Sequence, residues 1–192
     1  MSNAAVHSSR TPLRTRGPLR SARLWDSLAV AALIATVGAV QFVSGAFHSD
    51  FASDADEPGH VVSSLLIRDY IAAGLPHHPL EFAEVFYVHY PKVAIGHWPP
   101  LLYACEAVWM LAFGRTRAAM LALVTLASIA LLVSVYLWVR RECGVIAGLL
   151  AAFALAAPAI VQMAMGSVAP NIFLALLAFW AAAAHPSRPS LP

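Results

Sequence analysis

A short acidic segment contains the residues of this sequence best suited to general base catalysis. Asp54, Asp56 and Glu57 place three carboxylates within four positions, and His60 follows three residues later. Adjacent carboxylates repel each other, and in such a pair one can act as a proton acceptor near neutral pH. The alternative interpretation is a solvated, acidic first turn of a surface helix, where carboxylates favour the helix dipole.

A second group of residues is suited to binding phosphate. It comprises Tyr87, His89, Tyr90, Lys92, His97 and Trp98, and leads into Pro99-Pro100-Leu101-Leu102-Tyr103. Lysine is a compact point charge that suits phosphate, and Arg68 offers bidentate contacts from the same loop. The alternative is membrane anchoring, in which Lys92 extends toward the headgroups and the aromatic residues form an interfacial belt.

The histidines of this stretch do not indicate a zinc site. They are His60, His77, His78, His89 and His97. Their spacing matches no compact zinc-ligand pattern, and an adjacent pair is common in exposed turns. These residues predict no metal ligand and no cofactor, and they leave open whether the protein binds a divalent metal.

The composition places both groups in a membrane protein. Of the 192 residues, 60% are hydrophobic and 11% are charged, whereas soluble proteins have roughly 45 to 50% apolar and about 25% charged residues. Such hydrophobicity excludes disorder of the whole chain, and two cysteines exclude a disulfide scaffold. The formal charge of +2 is too small to indicate a nucleic-acid partner.

Uncharged segments predict an all-α polytopic bundle of about five membrane spans. About 20 apolar residues cross the hydrocarbon layer. The predicted spans are residues 27–49, 99–114 and 118–139, followed by two helices within 143–187 that break at 166–171. For the first span, a cleaved signal peptide is the alternative to an uncleaved anchor.

The charge distribution predicts the orientation. Five arginines precede the first span, whereas residues 50–84 hold seven acidic residues against Arg68. By the positive-inside rule the N-terminus is cytoplasmic. We therefore expect a disordered basic cytoplasmic tail over 1–23, a transmembrane region over 24–184 with an outer loop over 48–98, and a short polar tail over 185–192.

For two later arginine pairs, the positive-inside rule does not decide between two topologies. If residues 99–114 cross the membrane, Arg115 and Arg117 are cytoplasmic and Arg140 and Arg141 are not; if they are re-entrant, the pairs exchange sides. The crossing arrangement is preferred because it needs no unusual element. Glu106 interrupts this segment, and a charge there is expected to face a partner or cavity, unless it lies near the interface or is protonated.

The outer loop contains one predicted helix. It begins at Glu57-Pro58-Gly59, runs to about Ala73 and stops at Gly74. Its apolar face carries Val62, Leu65, Leu66 and Tyr70, and its polar face carries His60, Ser64 and Arg68. The pattern predicts an amphipathic helix on the membrane surface.

These features in this order resemble a known family. They are Asp56-Glu57 at the start of an amphipathic helix, Tyr90-Pro91-Lys92, His97-Trp98-Pro99-Pro100-Leu101-Leu102-Tyr103, Phe113-Gly114 followed by arginine, and an alanine- and leucine-rich segment over 144–158. About residues 24 to 184 resemble the N-terminal part of the integral-membrane GT-C glycosyltransferases. That group includes protein O-mannosyltransferases, the lipid A aminoarabinose transferase and rhizobial galacturonosyltransferases.

The resemblance implies transfer of a sugar from a polyprenyl-phosphate carrier to a lipid or protein acceptor, usually with inversion. It implies Asp56 as the principal catalytic carboxylate with Glu57 beside it. Lys92 would contact the phosphate, helped by Arg68, His97 and Tyr90, and His60 and Tyr103 would support the site. The protein would be integral to the bacterial inner (plasma) membrane, with the acceptor on the periplasmic face.

Two features depart from the family. Many members have lysine immediately before the Pro-Pro pair, whereas this chain has His97 in the approach to it, and many members have an acidic residue near the position of Asn171. Members are also several hundred residues long, so we expect this chain to be truncated, a fragment or half of a split enzyme, with weak or no activity alone. The alternative class is a non-catalytic membrane protein, either a transporter or a scaffold subunit.

Overall fold

The computed structural model describes residues 17–49, 55–94, 96, 98 and 100–184, with side chains from residue 23 onward. Within these residues the chain is all α-helical. The helices are α1 (Gly17–Val43), α2 (Glu57–Ala72), α3 (Pro79–His89), α4 (Leu101–Phe113), α5 (Arg117–Ala156), α6 (Ala159–Gly166) and α7 (Asn171–Ala184). The predictions for residues 1–16 and 185–192, and those for Asp54 and His97, lie outside the described residues.

The two long helices, α1 and α5, pack in antiparallel directions. Ala29, Leu33 and Val37 recur every four residues on α1 and are buried, as expected of a helix with one packed face. At one end, the Tyr136 hydroxyl donates to Asp26 Oδ1 at 2.8 Å. At the other end, the Arg117 guanidinium donates to the Ala46 carbonyl. α1 begins at Gly17, so the backbone of residues 17–23, which were predicted to lie in a disordered tail, is helical.

α5 reverses direction at Gly144. That residue has a φ of +86°, in the left-handed region that favours glycine. A Cβ placed on Gly148 would lie 2.8 Å from the Tyr136 carbonyl oxygen, so the second arm of α5 approaches the first where only glycine fits. Arg140 and Glu142 are still helical, and the reversal follows two residues after Glu142.

α2 lies against α4, and α3 contacts α2. The predicted start at Glu57 is confirmed, and the helix ends at Ala72 just before Gly74, whose φ is +83°. However, the buried residues of α2 include His60, Ser63 and Ser64, while Leu65 and Leu66 are only half-buried. The polar face therefore packs inward, because α4 supplies hydrogen-bond partners to it.

The number of membrane spans differs from the prediction. Among the described residues, two helices are long and apolar enough to cross a membrane, Arg23–Val43 and Arg117–Ala156. There are three such spans if α6 and α7, which are bent by 112° relative to each other, count together as one. Five spans are not confirmed. α4 has 13 residues, which extend roughly 20 Å against a hydrocarbon layer of about 30 Å.

The antiparallel packing also corrects the arginine topology. Arg117 lies at the end of α1 where the loop over 48–98 begins, and Arg140 lies at the opposite end beside Asp26. This is the arrangement in which residues 99–114 do not cross. Arg117 and Arg23 therefore lie at opposite ends of α1.

Candidate functional site

Glu57 is buried at the start of α2, although it is adjacent to solvent-exposed residues in sequence. Its side chain has no exposed surface. Oε1 accepts a hydrogen bond from Arg117 Nη2 at 2.9 Å and another from the Val168 backbone N–H at 2.8 Å. Such a charge-assisted pair, with an added backbone donor, satisfies a carboxylate that burial has separated from water.

Arg117 connects four segments of the chain. Besides Glu57, it donates to the carbonyl oxygens of Ala46 and Gly166, the latter at 3.1 Å. It is the first residue of α5, whose N-cap is Thr116, the side chain of which accepts from the Ala119 N–H. The Glu57–Arg117 ion pair thereby fixes the start of α2 to the end of α1, the start of α5 and the end of α6.

Asp56 differs from its neighbour. It is exposed and occupies the N-cap position of α2, where its carbonyl accepts from the His60 N–H at 3.1 Å. Glu57 is held inward by Arg117, whereas the side chain of the preceding residue, Asp56, points to the surface. Of this carboxylate pair, Asp56 is the one that a substrate could reach.

The segment that carries Lys92 lies on the first turns of α2. A Cβ on Gly59 would lie 3.4 Å from both the Lys92 carbonyl oxygen and the Trp98 ring. The Ala94 N–H donates to Ser63 Oγ at 3.2 Å. Gly59 is within one turn of Asp56, so the backbone of Lys92 and the carboxylate pair belong to neighbouring segments, with the Lys92 side chain exposed.

His60 and Tyr103 form a buried contact between α2 and α4. His60 Nδ1 lies 2.8 Å from the Tyr103 hydroxyl, and the His60 ring packs on Trp98 with centroids 4.3 Å apart. Burial and the nearby Glu106 raise the pKa of Tyr103 to about 12, so its phenol stays protonated. These two residues, predicted as support, are brought together directly beneath the segment that carries Lys92.

One turn further along the same interface, Glu106 of α4 meets Ser64 of α2. Glu106 has no exposed surface, and its Oε2 is within hydrogen-bond distance of Ser64 Oγ. Burial, and to a smaller extent the charge of Glu57, raise the pKa of Glu106 to about 7, against the lowering effect of Ser64. α4 is not one of the spanning helices. Glu106 therefore faces Ser64 inside the contact between α2 and α4.

Other predicted site residues are not brought to this place. Arg68 pairs with its neighbour Asp69, and it lies eleven residues beyond Glu57 on α2, roughly 16 Å along the axis. The Tyr90 ring packs on Phe86 with centroids 4.7 Å apart and is half-exposed. A shared phosphate site for Arg68 and Lys92 therefore gains no support from the geometry.

A hollow of about 640 Å³ opens beside the Glu57–Arg117 ion pair. It is bounded by the end of α1, by α6 and by the start of α7. Ala46 and Gly166, whose carbonyl groups accept from Arg117, line it, as do Ser167 and Asn171. Neither Asp56 nor Lys92 lines this hollow, so the two residues share a neighbourhood on α2 but no described cavity.

Sequence reasoning did not identify Arg117 as the partner of Glu57. A usable indication was available, because a carboxylate at a lipid-facing helix start needs a cation, and Arg117 opens the next long helix after Thr116. For a divalent metal, the structure indicates no ligand set: among the described residues, no three His, Cys, Asp or Glu side chains are placed to hold an ion.

The family resemblance depends on the sequence motifs alone. No protein-family model matches the sequence, and no curated protein or solved structure matches it either.

Proposed function

We propose that this chain carries the first-loop module of a GT-C glycosyltransferase, which transfers a sugar from a polyprenyl phosphate to a lipid or protein acceptor. The observation that carries the proposal is the division of the acidic pair. Glu57 is held inside by Arg117, and Asp56 is exposed next to it, on the same helix turn that supports the Lys92 segment. An accessible carboxylate and a cation on adjoining segments are what this transfer requires.

The proposed chemistry has one bond formed and one broken. The acceptor oxygen or nitrogen attacks the anomeric carbon, and Asp56 takes the proton that the acceptor loses. The bond from the anomeric carbon to the phosphate oxygen breaks, and its electron pair leaves with the polyprenyl phosphate. Lys92 stabilises the charge that develops on that phosphate. Attack opposite the leaving group inverts the anomeric centre.

The orientation is part of the proposal. Arg23, Arg140 and Arg141 belong to the end of the molecule where Asp26 contacts α5, and basic residues favour the cytoplasmic side. At the opposite end, the charge of Arg117 is balanced by Glu57. We therefore place Asp56 and Lys92 on the periplasmic side of a bacterial inner membrane.

Binding of the carrier lipid tests the cation. Lys92 is the chain's sole lysine, so Lys92→Ala removes every side-chain amine and Lys92→Arg restores the charge. We expect Lys92→Ala to weaken binding of undecaprenyl phosphate to the detergent-solubilised protein about tenfold, the size of one charge-assisted hydrogen bond. Arg141→Ala, an exposed cation at the other end, is the matched control. Equal binding by all four proteins removes the phosphate role of Lys92.

Turnover tests the carboxylate. In membranes that contain polyprenyl-phosphate sugars, the full chain should release polyprenyl phosphate. Asp56→Asn should lower this release about 100-fold or more, as loss of a general base does, with carrier binding unchanged. Undiminished release in Asp56→Asn would refute the role of Asp56. Absence of both carrier binding and release from the parent would instead indicate a transporter or scaffold subunit.

A further inference from the structure

The contact between Glu106 and Ser64 has too few hydrogen-bond donors for an ionised carboxylate. Both side chains are fully buried. Ser64 Oγ lies within hydrogen-bond distance of Glu106 Oε2 and 3.0 Å from the His60 carbonyl oxygen. Glu106 Oε1 has no hydrogen-bond partner among the described residues. The one hydroxyl hydrogen of Ser64 cannot serve both acceptors at once.

A neutral Glu106 reduces this shortage, because it carries no charge to compensate and supplies a donor of its own. Its carboxyl hydrogen donates to Ser64 Oγ, and the Ser64 hydrogen then donates to the His60 carbonyl, so every hydrogen is used. An ionised Glu106 would instead keep a buried charge on a single neutral donor, which costs several kcal/mol more than burying the neutral acid. The arrangement of oxygen atoms therefore fits the protonated acid.

The charged groups described around Glu106 do not compensate the negative charge that it would carry without its proton. α2 and α5 pack against α4. From α5, Arg117 donates to Glu57, Ala46 and Gly166. Of the titratable groups of α2, Glu57 has a charge that disfavours a second anion, and His60 contacts Tyr103 of α4. Arg68 and Asp69 pair with each other, and the Tyr70 hydroxyl donates to the Pro76 carbonyl.

We propose that Glu106 and Ser64 form a buried proton-binding site that holds α2 against α4, and that release of this proton loosens the two helices. The inference does not depend on the proposed function. The raised pKa of Glu106, about 7, puts the exchange of this proton within the range of pH that cells experience. Because α2 carries Asp56 and Glu57 at its start, its position against α4 also sets where the candidate site lies.

A buried cysteine reports the helix contact. Val61 of α2 is 4% exposed, and Val61→Cys replaces it with a small apolar side chain. The natural Cys143 is exposed and corrects for the pH dependence of thiol reactivity. In the full chain in detergent, we expect the ratio of maleimide labelling at residue 61 to that at residue 143 to rise about tenfold or more from pH 5.5 to pH 8.5.

Three further variants assign that rise to Glu106. In Glu106→Gln the ratio should stay within about twofold of its pH 5.5 value, because the amide cannot ionise. In Ser64→Ala it should be raised at pH 5.5 already. His60→Gln should keep the rise, since His60 is the other ionisable side chain through which α2 contacts α4. A flat profile in the parent overturns the proposal, as does an unchanged rise in Glu106→Gln; should Glu106→Gln not fold, the parent profile and Ser64→Ala decide.

Discussion

Glu57 and Glu106 are two fully buried carboxylates on neighbouring helices, and their surroundings differ. Glu57 receives Arg117 and the Val168 N–H. Glu106 has the Ser64 hydroxyl at Oε2 and no hydrogen-bond partner for Oε1 within the described part of the chain. Burial is equal, so the number and charge of the donors decide what each group can do.

The comparison separates a structural anion from a titratable acid. A carboxylate with a guanidinium and a backbone donor holds segments together as long as its cation is present. A carboxyl group with one hydroxyl neighbour is stable only with its proton. Neither group is available to a substrate, which leaves the exposed Asp56 to the chemistry proposed at this end of the molecule.

Removing the cation of Glu57 should have the largest effect. We expect Arg117→Met to lower the free energy of unfolding by about 3 to 5 kcal/mol, because Glu57 is then a buried charge without a partner. Chemical unfolding in detergent measures it. Arg115→Met, at an exposed arginine two residues earlier, should change the value by less than about 0.5 kcal/mol. Equal effects of the two variants would contradict the anchoring role.

Replacing Glu106 should stabilise the protein, but only at high pH. The folded-state pKa of about 7 exceeds the ordinary value of 4.5. Below both pKa values, Glu106 is neutral in the folded and in the unfolded protein, so it does not lower the free energy of unfolding. Between them the unfolded chain releases its proton first, so stability falls as the pH rises, and above pH 7 the penalty is constant. We expect Glu106→Gln to gain about 3 kcal/mol at pH 9 and nothing at pH 4, measured by the same unfolding assay. A gain of equal size at both pH values would show that ionisation is not the cause.

The local signals of the sequence predicted local structure well. The acidic residue, proline and glycine over 57–59 predicted the start of α2, and Gly74 predicted its end. The uncharged stretch over 27–49 predicted the apolar part of α1. These predictions needed only helix-capping preferences and the absence of charge, which act within a few residues and do not depend on the rest of the fold.

The predictions that failed concerned partners distant in sequence. Two arginines before residues 118–139 and two after them gave no preference between topologies, and the choice followed from the pairing of Arg117 with Glu57 across 60 positions. The buried face of α2 was also wrong, because the hydropathy of His60 and Ser64 does not reveal that Tyr103 and Glu106 face them. Asp56 and Glu57 have the same chemistry in sequence, and only packing distinguishes them.

The ion pair at the opposite end of α1 and α5 should matter less than the Glu57–Arg117 pair. Asp26 and Arg140 are 26% and 31% exposed in their side chains, so solvent screens their interaction. We expect Asp26→Asn to lower the free energy of unfolding by about 1 kcal/mol, from the weakened pair and the contact with Tyr136. Glu142→Gln, at an exposed acidic residue nearby, serves as the control. A loss as large as that in Arg117→Met would mean that burial does not set the strength of these pairs.

The smallest effect on stability should come from Asp56→Asn. Asp56 is exposed, its side chain makes no capping hydrogen bond, and asparagine is as good an N-cap residue as aspartate. We expect a change within about 0.5 kcal/mol, measured by the same unfolding assay. Glu57→Gln is the matched comparison, because it removes one charge from the adjacent buried position and leaves Arg117 without its anion. If Asp56→Asn destabilised the protein as much as Glu57→Gln, the two carboxylates would form one structural unit, and the division between a buried anchor and a reachable base, on which the proposed chemistry depends, would be lost.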